Sequence, residues 1–209
     1  MNRYYPIFLS LAGRECLVVG GGPVACRKAE SLVAVGADVR VVSPEFCDDL
    51  TQLRGVHLVQ RAFEDEDTDG AALVFAATDD AEANRQVARA ARLSGALVNV
   101  VDTPAECDFI VPSSLVRGSL TVSVCTGSAS PALSRRLREE LEEQFPESYA
   151  DFVALLGDLR QQLLRDVRNP RRRRAILMQL AERSTWDLFT RAGLDAVRQL
   201  VARLVEEVA

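Results

Sequence analysis

Short β-branched runs alternate with helix-period stretches through the first half of the chain. Residues 16–19, 39–42, 56–60, 73–76 and 97–101 read as strands. Continuous apolar runs such as Leu17-Val18-Val19 fit strands that are covered on both faces. Between the strands, residues 24–35 carry small and apolar side chains at helical spacing. Residues 81–94 form an alanine-rich helix with Arg85, Arg89 and Arg92 on its wet side. Strands alternating with helices build βαβ units, so the expected class is α/β with a doubly wound parallel sheet.

After Val101 the pattern changes. Asp102-Thr103-Pro104 breaks the strand, and then Phe109-Ile110-Val111-Pro112 and the alternating Leu120-Thr121-Val122-Ser123-Val124 read as further strands. Pro131 opens a helix in which Leu133, Leu137, Leu141 and Phe145 form one apolar stripe at i, i+4 spacing, with Arg135, Arg136, Arg138, Glu139 and Glu142 outside it. So small a segment is a poor independent core, and it is expected to complete itself against a partner chain. From Pro146 onward the period is helical, with breaks near Asn169-Pro170, near Ser184 and at Gly193.

The most informative turn is Val18-Val19-Gly20-Gly21-Gly22-Pro23-Val24-Ala25, where a strand runs into glycines and a helix follows at once. In G-x-G-x-x-G/A terms, Gly20 permits the tight turn, Gly22 lets the backbone approach a pyrophosphate, and Ala25 lets the helix lie against the strand. Free amides and a partial positive charge at the helix start suit phosphates. The expected cofactor contacts are therefore Gly20, Gly21, Gly22, Pro23 and Val24. The second strand ends in Ser43-Pro44-Glu45 rather than directly in an acidic residue, so Glu45, or Ser43 and the backbone, would hold the adenine ribose. No arginine stands there for a 2′-phosphate, which favours NAD over NADP.

Ligands of open α/β sheets sit at the carboxyl edge of the strands. Thr78 and Asp79 follow one strand, and either caps the next helix or contacts cofactor, or does both. Asn99 and Asp102 close the last strand. Asp102 is expected to be buried enough for its proton affinity to be adjusted, as a general acid or base, a metal-facing carboxylate or a turn residue ahead of Pro104. Cys125-Thr126-Gly127-Ser128-Ala129-Ser130-Pro131 is a hydroxyl-rich turn whose Ser130 reads as an N-cap. Its amides and hydroxyls would also hold a carboxylate.

Composition narrows the chemistry. Of 25 basic side chains, 24 are arginine; the one lysine is Lys28 and the one histidine is His57. A multi-histidine metal site within one chain is excluded, any Ser/His/Asp or Cys/His system would have to use His57, and no tyrosine stands four residues before Lys28. No metal site is expected. The five cysteines form no C-x-x-C pair, so inert thiols are the default. No membrane span or signal peptide is read, which suggests a cytoplasmic protein. The arginines at 171–174 read as a solvated first turn or an anion patch. Nucleic acid is not expected, because the net charge is −5 and the run lacks aromatics.

Taken together these motifs resemble precorrin-2 dehydrogenase, the dehydrogenase/ferrochelatase module of siroheme synthase. The matching pieces are Tyr5-Pro6-Ile7-Phe8-Leu9, the glycine turn with Arg27-Lys28-Ala29, Ala77-Thr78-Asp79-Asp80, Asn99-Val100-Val101-Asp102, Phe109-Ile110-Val111-Pro112-Ser113, and Gly127-x-x-Ser130-Pro131-x-Leu133. The resemblance implies NAD-dependent oxidation of precorrin-2 to sirohydrochlorin, with ferrous iron as a further substrate in some members. It implies an NAD-binding Rossmann domain over residues 1–112, a dimerisation segment over 113–146, a helical domain over 147–209, and a homodimer with the site at its interface. Asp102 takes the place of the family's catalytic aspartate, and Ser113, Thr126, Gly127, Ser128 and Ser130 fall on its substrate-binding positions. Ser128 stands where the family turn usually has a second glycine, and Thr126 where some fused enzymes carry phosphoserine. The family's methyltransferase half would begin where this chain ends. Lys28, in the Arg-Lys-Ala stretch, reads as structural rather than catalytic. Substrate carboxylates would call on Arg117, Arg135, Arg136 or the 171–174 run. The competing readings are a non-catalytic NAD-sensing module, which leaves Asp102 and the serine turn unexplained, and a protein that is mainly a metal chelatase.

Overall fold

A computed structural model describes residues 4–206. The chain divides into two compact units, Met1–Val111 and Pro112–Ala209. In the first, strands β1 (Glu15–Val19), β2 (Asp38–Ser43), β3 (Val56–Gln60), β4 (Leu73–Ala76) and β5 (Leu97–Val100) form one sheet in the order β3-β2-β1-β4-β5. Every pairing is parallel. Helix α1 (Pro23–Val33) crosses from β1 to β2, a short α2 (Asp48–Gln52) follows β2, and α3 (Ala81–Ser94) joins β4 to β5.

The apolar runs are continuous because the pleat sends alternate residues into two cores. Cys16, Val18, Val39, Val41, Leu73 and Phe75 pack with Ala25, Cys26, Ala29 and Leu32 of α1. Leu17, Val19, Val74, Ala76, Val98 and Val100 pack with Val87, Ala88 and Ala91 of α3. Small residues on both helices let them lie close to the sheet. Burial raises the thiol pKa of Cys16, Cys26 and Cys107, which keeps these groups protonated and unreactive.

Arg40 interrupts the apolar run of β2, and no full helix covers its face between β3 and β4. Instead, the 3₁₀ turn Asp65–Thr68 brings Asp67 beneath the sheet. Arg61 grips the Asp67 carboxylate with two bonds of 2.7 Å, while Arg40 reaches Glu15 at 2.5 Å and the Asp67 carbonyl at 2.8 Å. Burial works to raise the Asp67 pKa, but the Arg61 fork, the Glu64 amide and the Arg40 charge outweigh it and hold the carboxyl below its usual range. A depressed folded pKa contributes stability that is full above the unfolded pKa, about 3.9, and is lost as pH falls through the folded value. Asp67→Asn is therefore expected to cost about 2–4 kcal/mol at neutral pH, and the gap to wild type should close on acidification below about pH 4. Urea unfolding of both proteins across that range checks it.

In the second unit, β6 (Ser113–Arg117) and β7 (Leu120–Val124) pair as an antiparallel hairpin. The strand expected over Phe109-Ile110-Val111-Pro112 does not form. Pro112 has no amide to give a ladder, so pairing starts one residue later, and the partner of Leu120–Val124 is Ser113–Arg117 instead of the apolar segment before it. Helix α4 (Pro131–Gln144) carries the apolar stripe, with Leu133 46% exposed and Leu137, Leu141 and Phe145 half-buried. Helices α5 (Tyr149–Asp166), α6 (Pro170–Leu180) and α7 (Arg183–Glu206) share a core of Leu155, Leu159, Leu163, Ile176, Leu180, Val197 and Val201. Gly193, at φ 78° and ψ −178°, interrupts α7 where a break was expected. No helix among the described residues is long and apolar enough to cross a membrane.

Candidate nucleotide site and strand-end residues

The chain leaves β1 through three glycines with three different reasons to lack a side chain. Gly20 has φ 128°, and a Cβ there would stand 2.3 Å from the Ala77 carbonyl oxygen. A Cβ on Gly21 would stand 1.7 Å from the Glu45 carbonyl oxygen and 2.8 Å from Ser43 Oγ. The Cys47 amide donates to the Gly21 carbonyl at 2.8 Å, so the segment after β2 is stitched onto the turn. Gly22 is the N-cap of α1, and nothing lies within 4 Å of where its Cβ would be. Pro23 occupies the first position of α1, and the next amides lack intrahelical partners because they lie in the first turn. Open space over Gly22 and free first-turn amides fit a pyrophosphate. The G-x-G pattern did not explain Gly21, whose clash is with backbone that is distant in sequence.

Around this turn lie the other strand ends. Ser43 is buried, and Pro44 and Glu45 are exposed, with Gln60 donating to the Pro44 carbonyl at 3.3 Å. Thr78 is held by Asn84, which accepts from the Thr78 hydroxyl at 2.8 Å and donates to its carbonyl at 3.0 Å. The cap of α3 is Asp80, not Thr78 or Asp79; its carboxylate accepts from the Glu82 and Ala83 amides, and Asp79 stays exposed. Nothing in the local pattern had singled out Asn84, a buried amide inside an alanine-rich helix.

Asn99 lies on β5 opposite Phe75, and its amide donates to the Phe109 carbonyl at 2.9 Å. The sulfur of Cys107 accepts from the Val100 amide at 3.2 Å and donates back to the Val100 carbonyl. Residues 101–106 thus form a loop closed by the half-buried thiol of Cys107, and Asp102 sits at its bend with φ 58°. Asp102 is exposed, contrary to the burial expected of it, because the loop turns outward instead of continuing β5. Aspartate is among the few residues that enter the left-handed region readily.

The serine turn belongs to the second unit. Ser113 opens β6 opposite Val124. Ser130 caps α4, its hydroxyl accepting from the Leu133 amide at 3.2 Å. Thr126 is tied to both Ser130 and Ser134: its hydroxyl accepts from the Ser130 amide at 3.1 Å and lies 3.1 Å from Ser134 Oγ. Gly127 and Ser128 project at φ 61° and 66°, both exposed. Since a non-glycine residue carries a cost there, Ser128→Gly is expected to raise stability by about 0.5–1 kcal/mol, seen as a higher Tm. Among the candidate arginines, Arg135 and Arg136 pair with Glu139 and Glu140 on their own helix, and Arg117 bonds the Phe145 carbonyl.

A family model described as "Putative NAD(P)-binding" matches residues 7–113, which span the sheet, the glycine turn and the Asp102 loop. The chain belongs to this NAD(P)-binding family. Among curated relatives of this family member, the siroheme synthase of Thioalkalivibrio sulfidiphilus (strain HL-EbGR7) is 39% identical over 206 residues, 97% of this chain and 42% of that one. The siroheme synthase of Methylobacillus flagellatus is 46% identical over 160 residues, 75% of this chain and 34% of that one. The chain spans less than half the length of these relatives. A solved structure titled SirC, precorrin-2 dehydrogenase, superposes with a TM-score of 0.80 at 24% identity, covering 96% of this chain and all of that one. The NAD(P)-binding chain therefore shares that fold: a five-stranded parallel Rossmann-like sheet followed by a largely helical region.

Proposed function

We propose that the chain oxidises precorrin-2 to sirohydrochlorin with NAD as hydride acceptor, as a step of siroheme biosynthesis. The observation that carries this reading is the 39% identity to a siroheme synthase over 97% of the chain. The nucleotide-binding turn built by Gly20, Gly21 and Gly22 supports it.

In this reading the α1 amides and Gly22 hold the pyrophosphate, with Pro23 and Val24 beside it. Ser43, Pro44 and Glu45 receive the adenine ribose. Glu45 would repel a 2′-phosphate, so NAD binds more tightly than NADP. Thr78, Asp79 and Asn99 line the strand ends, with Asn84 holding Thr78 and Asn99 holding the last loop. Bound NAD supplies an acceptor for the hydride. Two electrons and one proton leave the tetrapyrrole as hydride, and a second proton must be taken up; the Asp102 carboxylate accepts it. Ser113, Thr126, Gly127, Ser128 and Ser130 offer hydroxyls and amides to a substrate carboxylate. The open stripe of α4 fits a homodimer, and the protein acts in the cytoplasm.

Anaerobic incubation with precorrin-2 and either NAD or NADP tests the reading. Sirohydrochlorin formed preferentially with NAD supports it, and intact NAD binding without turnover would return the chain to a nucleotide-sensing role.

A further inference from the structure

Lys28, the single lysine of the chain, stands in the second turn of α1. Its side chain is half-buried. Nζ lies 5.6 Å from the centroid of the Phe75 ring, and the adjacent residue in the helix is Arg27. Neither is a counterion, and among the described residues no carboxylate pairs with it. Phe75 is braced edge-on by Phe109 at 5.4 Å, and Phe109 is the residue whose carbonyl Asn99 holds. Lys28 is thus linked through the rings of Phe75 and Phe109 to the segment that follows the Asp102 loop.

Many of the chain's arginines are paired on the surface, whereas its one lysine is partly desolvated beside a like charge. Burial, with the like charge of Arg27, lowers its pKa. An aromatic face recovers only part of the lost hydration. An arriving anion would restore what is missing. The pyrophosphate is a poor candidate, because Lys28 lies about 9 Å of helical rise beyond Gly22 and past the first-turn amides.

We propose that Lys28 receives a carboxylate of the tetrapyrrole substrate. This rests on the reading that the substrate is precorrin-2. Because the chain has one ε-amine, reductive methylation with isotope-labelled formaldehyde places a single side-chain reporter that keeps its charge; Lys28→Arg removes that signal and identifies it against the terminal amine. Sirohydrochlorin is expected to move the titration midpoint of the reporter to higher pH, while NAD alone leaves it in place. Lys28→Gln should weaken sirohydrochlorin binding about tenfold with NAD affinity kept within about twofold, and Lys28→Arg should retain most of the tetrapyrrole affinity.

A reporter that ignores sirohydrochlorin, while tetrapyrrole absorbance shows that it binds, would overturn this role and leave the proposed activity standing. An equal shift with NAD alone would assign Lys28 to the cofactor and also overturn it. Failure of wild type to bind sirohydrochlorin would overturn both.

Discussion

Asp102→Asn is expected to lower precorrin-2 oxidation by about 10²–10⁴-fold in kcat while leaving NAD affinity and Tm near wild type. The separation follows from the position of the residue. Asp102 is exposed and at φ 58°, while the sulfur of Cys107 and the Val100 backbone hold the loop. Asparagine enters the same left-handed conformation, so the substitution removes the carboxylate and little else. Stopped-flow turnover, NAD titration and thermal unfolding of the same preparation check all three quantities. Turnover preserved within a few-fold would transfer the proton to another group, and a large fall in Tm would make Asp102 a residue of the loop's structure.

Gly21→Ala should have the largest effect on the nucleotide turn. Its Cβ would stand 1.7 Å from the Glu45 carbonyl oxygen, and the Cys47 bond to the Gly21 carbonyl prevents the two segments from simply separating. The turn must rebuild. A loss of about 2–4 kcal/mol in stability and more than about 100-fold in NAD affinity is expected. Gly22→Ala supplies the contrast, because its Cβ meets nothing within 4 Å and would project into the space assigned to pyrophosphate. That variant should keep its Tm and still bind NAD more weakly. Calorimetry and cofactor titration of the pair separate a steric role within the fold from one toward the ligand; equal behaviour of both variants would contradict the assignment.

The parallel sheet was legible because burial on both faces leaves runs such as Leu17-Val18-Val19 with no polar interruption. Strand β6 was not, since Ser113-Ser114-Leu115-Val116-Arg117 has one buried residue among exposed and half-buried neighbours and stands beside a more apolar run that Pro112 keeps out of the ladder. At the site, Gly20 and Gly22 follow from the turn pattern alone. The reason for Gly21 is a contact with Glu45, which only the folded crossover brings close. The exposure of Asp102 depends on how residues 101–106 wrap Cys107, and a string ending in Val100-Val101-Asp102 contains no sign of it. Lys28 likewise reads as one charge in a helical stretch, and only the fold sets it over the Phe75 ring with no carboxylate partner among the described residues.

Hydride transfer from precorrin-2 to NAD by this chain, as proposed, couples the formation of two products. The most direct measurement is to follow NADH and sirohydrochlorin together in an anaerobic single-turnover mixture of protein, precorrin-2 and NAD. Both products are expected to rise at one rate and in equal amounts, and neither is expected to form with Asp102→Asn on the same timescale. Sirohydrochlorin appearing without NADH, or no conversion by wild-type protein that binds both ligands, would contradict it.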